Sequence, residues 1–223
     1  MKHSMRIHRV RLGADEYRVL RPDRPARGGY LHDRWSADMY VDREAAQQLV
    51  AAWGLAARSP RSLVYVPMRQ NPVPQGLSEA PVHPAAALDL VLVHHRLQFP
   101  TSRWKAVRAR LGAGQLHSAK LPEPDFGDEA ARLHPLHGTD ASRDHLLFDR
   151  AADTLFVIGS TTAFRTTAAT VHDLVAGGTA SLRDAEDHHF CVELSSGPWH
   201  RPRARGPVSA HLHIQYRAGQ AAA

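Results

Sequence analysis

The sequence predicts an α+β fold, in which a mixed or mainly antiparallel sheet carries about three helices. Segments with the alternation or apolar content of strands outnumber helical segments. Hairpin-like strand pairs also alternate with strand–helix units, which favours α+β over a doubly wound parallel sheet. The 223 residues suit one large domain, which we place at 1–217, followed by a flexible tail at 218–223.

The first predicted element is a hairpin over residues 5–20. Apolar and polar residues alternate on both sides of a turn at Gly13, as expected of two paired strands. The next stretch, 21–34, holds two prolines, two glycines and four arginines. It therefore predicts a surface loop, whose arginines could clamp an acidic partner.

A helix is predicted over 43–57, between two short strands. Asp42 is a typical N-cap residue, and the apolar positions from Ala46 to Trp53 have helical spacing, so one face should pack on a sheet. The flanking strands are predicted at 37–41 and 62–67. A proline-rich loop over 68–84 follows.

Residues 88–112 and 153–177 resemble each other. Each reads as an apolar strand, a polar turn, a capped helix and a glycine stop, which predicts a pseudo-two-fold repeat of strand–turn–helix units. The helices are expected at 103–111 and 166–175. The alignment depends on four identities: Leu90 with Leu155, Phe99 with Phe164, Thr101 with Thr166 and Gly112 with Gly177.

The remaining strands are predicted in the C-terminal half. A hairpin is expected over 145–158, where two strongly apolar runs flank a short polar turn. Single strands are expected at 116–121, 188–194 and 208–217. The rest of 113–144 is rich in proline, glycine and scattered charge, so we expect a lid or a disordered segment there.

Composition restricts the class of protein. The single cysteine, Cys191, excludes an intrachain disulfide framework and fits a reducing, cytoplasmic compartment. No apolar run approaches the roughly 20 residues that span a bilayer, so no membrane partner is expected. The net charge is +6, and only three of the 28 basic residues are lysine. Such a balance permits nucleic-acid binding, but an arginine bias of genomic origin explains it equally well.

Histidine is the residue type that points most directly to chemistry, with sixteen in the chain. His211 and His213 are two positions apart on the last predicted strand, so they share a face and are the predicted acid/base pair. His95, at the end of the first repeated strand, is their predicted catalytic partner. A solvent-facing strand that uses histidine merely as a polar residue is the alternative.

Helix starts are the second predicted feature of the site. Their unpaired N–H groups favour anions, and hydroxyl residues stand at the start of both repeated helices, although ordinary capping explains them too. Arg96 would neutralise charge, and Glu193, His95 or His189 would supply the third ligand of a zinc site if a metal were bound. The residues assigned to ligand binding are His94, Arg96, Thr101, Ser160, Thr161, Thr166 and Glu193.

These features predict an enzyme, such as a hydrolase, or a ligand-binding protein that uses a histidine-based site for a small anionic substrate. A phosphate ester or a carboxylate is the expected class. No cofactor is predicted, with zinc as the alternative, and no P-loop, HExxH or GxSxG pattern is present. The alternative function is a non-enzymatic basic module that binds nucleic acid or an acidic protein through 199–205, with Trp199 as a stacking platform.

Overall fold

The computed structural model describes residues 2–33, 37–74, 87–121, 145–184, 190–196 and 211–217. Eleven strands and three α-helices occur within these ranges. The strands are β1 (Lys2–Leu12), β2 (Asp15–Pro22), β3 (Tyr30–Asp33), β4 (Ala37–Val41), β5 (Ser62–Val66), β6 (Asp89–His94), β7 (Gln115–Lys120), β8 (Leu147–Arg150), β9 (Thr154–Gly159), β10 (Phe190–Ser195) and β11 (His211–Tyr216). The helices are α1 (Arg43–Arg58), α2 (Trp104–Arg108) and α3 (Thr161–Asp184).

The predicted α+β class is confirmed, with the strands divided between two mixed sheets. The larger sheet has the order β7-β1-β2-β5-β6-β9-β8, and the smaller has the order β10-β11-β4-β3. The pairs β2–β5, β6–β9 and β11–β4 are parallel, and the other neighbours are antiparallel. No helix in the described part of the chain is long and apolar enough to cross a membrane.

The main core surrounds the helices α1 and α3, which pack against each other. Helix α1 contacts β5 and β6 of the larger sheet and β4 of the smaller one. Eleven of its sixteen residues are buried, and many of them are alanine. The helix is therefore apolar around most of its circumference and packs against neighbours on several sides. The predicted N-cap is confirmed, since the Asp42 carboxylate accepts a hydrogen bond of 2.8 Å from the N–H of Ala45.

A second core covers the opposite face of the larger sheet. There, Phe99, Trp104 and Val107 from the segment after β6 pack on Val91 and Phe156. That segment contains two 3-10 turns (His95–Leu97 and Thr101–Arg103) and α2. The central strands β5, β6 and β9 are therefore buried on both faces, which explains why residues 90–93 and 155–158 are continuous apolar runs.

The predicted pseudo-two-fold repeat is not confirmed. Strands β6 and β9 do lie side by side, and Leu90 pairs with Leu155 as the alignment placed them. Beyond the strands the chain turns to opposite faces of the sheet, because Phe99 joins the second core and Phe164 the main core. The helices also differ, with five residues in α2 and 24 in α3. The similarity therefore ends with the strands.

The predicted glycine stop at 177–178 is wrong, since α3 continues through both glycines to Asp184. A Cβ atom on Gly177 would lie 2.4 Å from the ring of Phe190, and one on Gly178 would lie 2.4 Å from the ring of Tyr216. The glycines therefore allow β10 and β11 to pack closely on the helix. Neither has the left-handed conformation of a C-terminal stop.

Several shorter predictions can be compared with the described residues. The first hairpin is confirmed around Gly13, whose φ of +65° suits the turn. The loop predicted at 21–34 is shorter, because β2 extends to Pro22 and β3 begins at Tyr30. The domain bounds 1–217 stay a prediction. The loop at 75–84, the segment 122–144, the basic stretch 199–205 and the tail 218–223 lie outside the described residues.

Candidate functional site

Asp89 is the most enclosed ionisable group near a cavity in the described chain. It begins β6, and only 1% of its side chain is exposed. Its Oδ1 accepts hydrogen bonds from the N–H groups of Met68 at 3.0 Å and Arg69 at 3.1 Å. Its Oδ2 accepts one from the Tyr65 hydroxyl at 3.0 Å. A buried carboxylate needs such donors, because burial removes its hydration.

Two arginines complete the surroundings of Asp89. The Arg108 Nη1 lies 3.1 Å from Asp89 Oδ2 and donates to Thr154 Oγ1 at 3.2 Å, while Arg69 Nε lies 3.3 Å from Asp89 Oδ2. Asp153 supplies a second carboxylate, 3.2 Å from Arg69 and 3.8 Å from Arg108. We call Asp89, Asp153, Arg69 and Arg108 the Asp89 network. Its two positive and two negative charges balance.

The packing of α2 holds this network against the sheet. Thr154 is the register partner of Asp89 on β9, and its hydroxyl accepts a hydrogen bond of 2.9 Å from the Trp104 indole. The Trp104 ring also meets the Tyr65 ring edge-to-face at 5.0 Å. Both contacts fix the start of α2 over the sheet, so Arg108, one turn later, reaches Asp89.

A cavity of about 540 Å³ adjoins the Asp89 network. Pockets that hold small ligands typically measure about 300–1,000 Å³. Pro25, Pro67 and Met68 contribute apolar wall. The polar lining consists of Arg21, Tyr65, Arg69, Gln70, Asn71, Asp89, Lys105 and Arg108, and we call this space the cationic cavity.

The cationic cavity has more positive charge than its own carboxylates neutralise. Arg21 comes from β2, and its Nε is buried without a hydrogen-bond partner among the described residues. Lys105 on α2 is exposed and forms no ion pair with any described residue. Since the Asp89 network is balanced, these two side chains give the cavity a local excess of two positive charges. An excess of one sign of charge in a cleft attracts ions of the opposite sign, here anions.

Tyr65 contributes a neutral hydrogen-bond donor to the network. Burial raises the pKa of Tyr65 well above its usual value, and the neighbouring Asp89 carboxylate raises it further. The phenol therefore stays protonated and continues to donate to Asp89. The Tyr65 hydroxyl and the Asp89 carboxylate are thus joined by a buried hydrogen bond of 3.0 Å.

The predicted catalytic histidines lie elsewhere. His211 and His213 are on β11, whose alternate residues Leu212 and Ile214 join the main core. The two histidines therefore share the face of the smaller sheet turned away from the helices, which we call the outer face. His95 follows β6 of the larger sheet, and its ring meets that of His94 at 4.9 Å. The catalytic assignment of these residues stays a prediction.

On the outer face the polar residues pair with their neighbours. The His213 Nδ1 lies 3.3 Å from Asp38 Oδ1, and the His211 Nδ1 lies 3.0 Å from the Ser195 hydroxyl. Glu193 is the register partner of His213 on β10. The i, i+2 spacing thus places the pair on one face as predicted, next to Asp38, which the sequence did not indicate.

Two of the residues predicted to bind ligand are brought together. The His94 Nε2 lies 3.1 Å from Thr161 Oγ1, which donates to the carbonyl oxygen of Ala57 at 3.0 Å. The His94 Nδ1 accepts a hydrogen bond from the N–H of Arg96 at 3.2 Å. Because Nδ1 is the acceptor, Nε2 carries the hydrogen and donates to Thr161. This histidine joins β6 to the start of α3.

The remaining hydroxyl groups are also engaged within the chain. The Ser160 Oγ caps α3 by accepting from the N–H of Ala163 at 2.9 Å, and the Thr101 hydroxyl donates to Asp149 at 2.8 Å. Thr166 was expected at a helix start, but α3 begins at Thr161. The Thr166 hydroxyl donates to the carbonyl oxygen of Thr162 at 2.9 Å. Of these three contacts, that of Ser160 is ordinary helix capping, as in the alternative interpretation, whereas the hydroxyls of Thr101 and Thr166 act as donors to other groups.

A zinc site was the alternative prediction. Across the described ranges, no group of three or more His, Cys, Asp or Glu side chains is placed to hold a metal ion. His189, one of the suggested third ligands, lies outside those ranges.

The residues of the cationic cavity were not predicted from the sequence as site residues. Asp89 carried a usable signal, since it is the single charged residue in the apolar run 88–93. A carboxylate in a strand that is buried on both faces requires partners, and arginine is a frequent one. The partners themselves come from distant segments and have no shared motif.

No family model, curated protein or solved structure matches the chain.

Proposed function

We propose that the protein binds a small anionic ligand, a phosphate ester or a carboxylate, in the cationic cavity. One observation carries this proposal: Arg21 and Lys105 line the same half-open cavity and have no carboxylate partner within the described chain. Keeping two cations beside a balanced network costs free energy unless an anion or solvent compensates them. A small anion supplies that compensation when it binds.

The chemistry of the lining favours binding over catalysis. Asp89 and Tyr65 are held by each other and by the arginines, so they position the cations instead of exchanging protons. The polar residues that line the cavity are donors, amides and carboxylates, and no described lining residue is a histidine, serine or cysteine. The histidines of the outer face are the alternative site for the same class of ligand.

We also propose a cytoplasmic location. Cys191 is partly exposed on β10 and unpaired, as is usual for thiols in a reducing compartment.

The test is a titration of the purified protein with inorganic phosphate, sulfate and acetate, followed by calorimetry and by thermal unfolding. We expect saturable binding that weakens with ionic strength, because exposed charges are screened by salt. Lys105→Glu should weaken phosphate binding by about tenfold or more, since it reverses one charge at the cavity. Its free energy of unfolding should stay within about 0.5 kcal/mol of the wild type, because Lys105 is exposed.

The matched control is the double variant His211→Ala/His213→Ala, which should bind phosphate like the wild type. The proposal is wrong if none of the three anions binds, or if Lys105→Glu binds as tightly as the wild type. Loss of binding in the histidine variant would instead assign the ligand to the outer face.

A further inference from the structure

We infer that the ligand of the cationic cavity is a phosphate monoester whose organic part carries a hydroxyl group. This inference rests on the proposed function and specifies the ligand of the same site. It depends on the charge balance of the cavity and on the hydrogen-bonding state of one amide side chain.

The charge balance selects a doubly charged anion. Four cations surround the site, namely Arg21, Arg69, Lys105 and Arg108. Asp89 and Asp153 contact Arg69 and Arg108 and neutralise two of those charges, which leaves an excess of two among the described residues. A phosphate monoester carries nearly two negative charges above its second pKa of about 6. A monocarboxylate carries one and would leave one cation without compensation.

The two uncompensated cations reach the cavity from different elements. Arg21 belongs to β2 of the sheet, and Lys105 belongs to α2, which covers the sheet. A compact group with several acceptor oxygens can accept hydrogen bonds from both elements at once. Phosphate has three such oxygens, whereas a carboxylate has two that lie in one plane.

Asn71 supplies the second observation. It lines the cavity, and its Nδ2 donates to the carbonyl oxygens of Ala26 at 3.0 Å and Gly29 at 2.6 Å. Both amide hydrogens are thereby used, so the side chain has only its carbonyl oxygen left to offer. An acceptor in a cavity dominated by donors favours a ligand that also carries a hydrogen-bond donor, and a hydroxyl group is the simplest one.

The decisive experiment compares methyl phosphate with dimethyl phosphate at about pH 8, where the first is doubly and the second singly charged. Calorimetry should show that methyl phosphate binds about tenfold more tightly. Arg21→Gln and Lys105→Gln should each reduce this preference. The control variants Arg11→Gln and Arg110→Gln remove a charge from exposed positions of β1 and of the stretch after α2, and they should keep the preference.

The outcomes separate this inference from the proposed function. Equal affinity for the two esters, with binding still weakened by Lys105→Glu, overturns the inference and leaves the anion-binding function standing. Succinate that binds as tightly as methyl phosphate overturns the phosphate assignment in the same way. Failure of both esters and of inorganic phosphate to bind overturns the inference, and failure of sulfate and acetate as well overturns the proposed function. Because Lys105 is exposed, its variant gives a result even if Arg21→Gln fails to fold.

A second pair of ligands tests the hydroxyl group. Glycerol 3-phosphate and propyl phosphate have the same carbon skeleton and differ in their hydroxyls. We expect glycerol 3-phosphate to bind several-fold more tightly, since its hydroxyls can donate a hydrogen bond to the Asn71 carbonyl oxygen. Equal or weaker binding of glycerol 3-phosphate overturns this part of the inference. Ligands are varied here because replacing Asn71 would leave two backbone carbonyls without their donor.

Discussion

The cationic cavity and the outer face of the smaller sheet both contain ionisable side chains, but they differ in how far these side chains are buried and in the balance of charge. In the cavity, Asp89 has 1% of its side chain exposed, and the cations outnumber the carboxylates. On the outer face, the side chains of His213 and Asp38 are 26% and 22% exposed and lie within ion-pairing distance of each other. A buried carboxylate combined with excess positive charge therefore distinguishes the candidate binding site from a polar surface.

Replacing the buried carboxylate should give the largest effect on stability. Asp89→Asn removes the negative charge from between two arginines and also one acceptor of the Tyr65 hydroxyl. Removing one partner of a buried ion pair costs about 3–5 kcal/mol. Urea unfolding should show a loss of this size, with an unchanged slope. A loss below about 1 kcal/mol would mean that the Asp89 network is dispensable for folding.

A buried histidine on the side of the larger sheet that carries Asp89 should make the free energy of unfolding depend on pH. His8 on β1 is 3% exposed, and burial, followed by the charge of nearby Arg21, lowers its pKa below 6.5. In the unfolded chain His8 takes up a proton near pH 6.5, whereas in the folded protein it stays neutral until a lower pH. Stability should therefore fall as the pH drops through and below this value.

His8→Leu should make this loss of stability with falling pH shallower, measured as urea midpoints between about pH 7.5 and pH 5. Some loss of stability with falling pH should remain in His8→Leu, because burial lowers the pKa of His3 as well. An unchanged slope in His8→Leu would contradict this assignment.

The smallest effect is expected on the outer face. Asp38→Asn replaces the partner of His213 at a partly exposed position, where ion pairs contribute about 0–1 kcal/mol. Urea unfolding should therefore show a change of about 1 kcal/mol or less. Asp38→Asn is also the matched control for Asp89→Asn, because both remove one carboxylate charge. A cost similar to that of Asp89→Asn would show that the two regions are energetically alike.

Much of the fold could be predicted from local patterns, but little of the candidate site could. The hairpin around Gly13 and the helix capped by Asp42 were found because turn and cap residues act on their immediate neighbours. The end of α3 was misplaced because Gly177 and Gly178 serve the packing of Phe190 and Tyr216, which lie further along the chain.

The predicted histidine site also shows that a local pattern gives the face of a residue but not its neighbours from other strands. Alternation along β11 correctly placed His211 and His213 on one face. It carried no information about which side chains would face them from β4 and β10, since pairing between strands joins residues far apart in the chain. The resemblance of 88–112 to 153–177 failed for a related reason, because the face to which the chain turns after each strand depends on where apolar side chains can be buried.

Most of the strands and helices, the α+β class and the capped start of α1 follow from the amino-acid pattern alone, because each depends on residues within one or two turns of one another. The cationic cavity depends on tertiary structure. Arg21, Asp89 and Lys105 are ordinary residues in separate segments, and only the register of β2, β5 and β6 and the packing of α2 bring them together. The excess of positive charge is a property of that assembled cavity, so no single segment displays it.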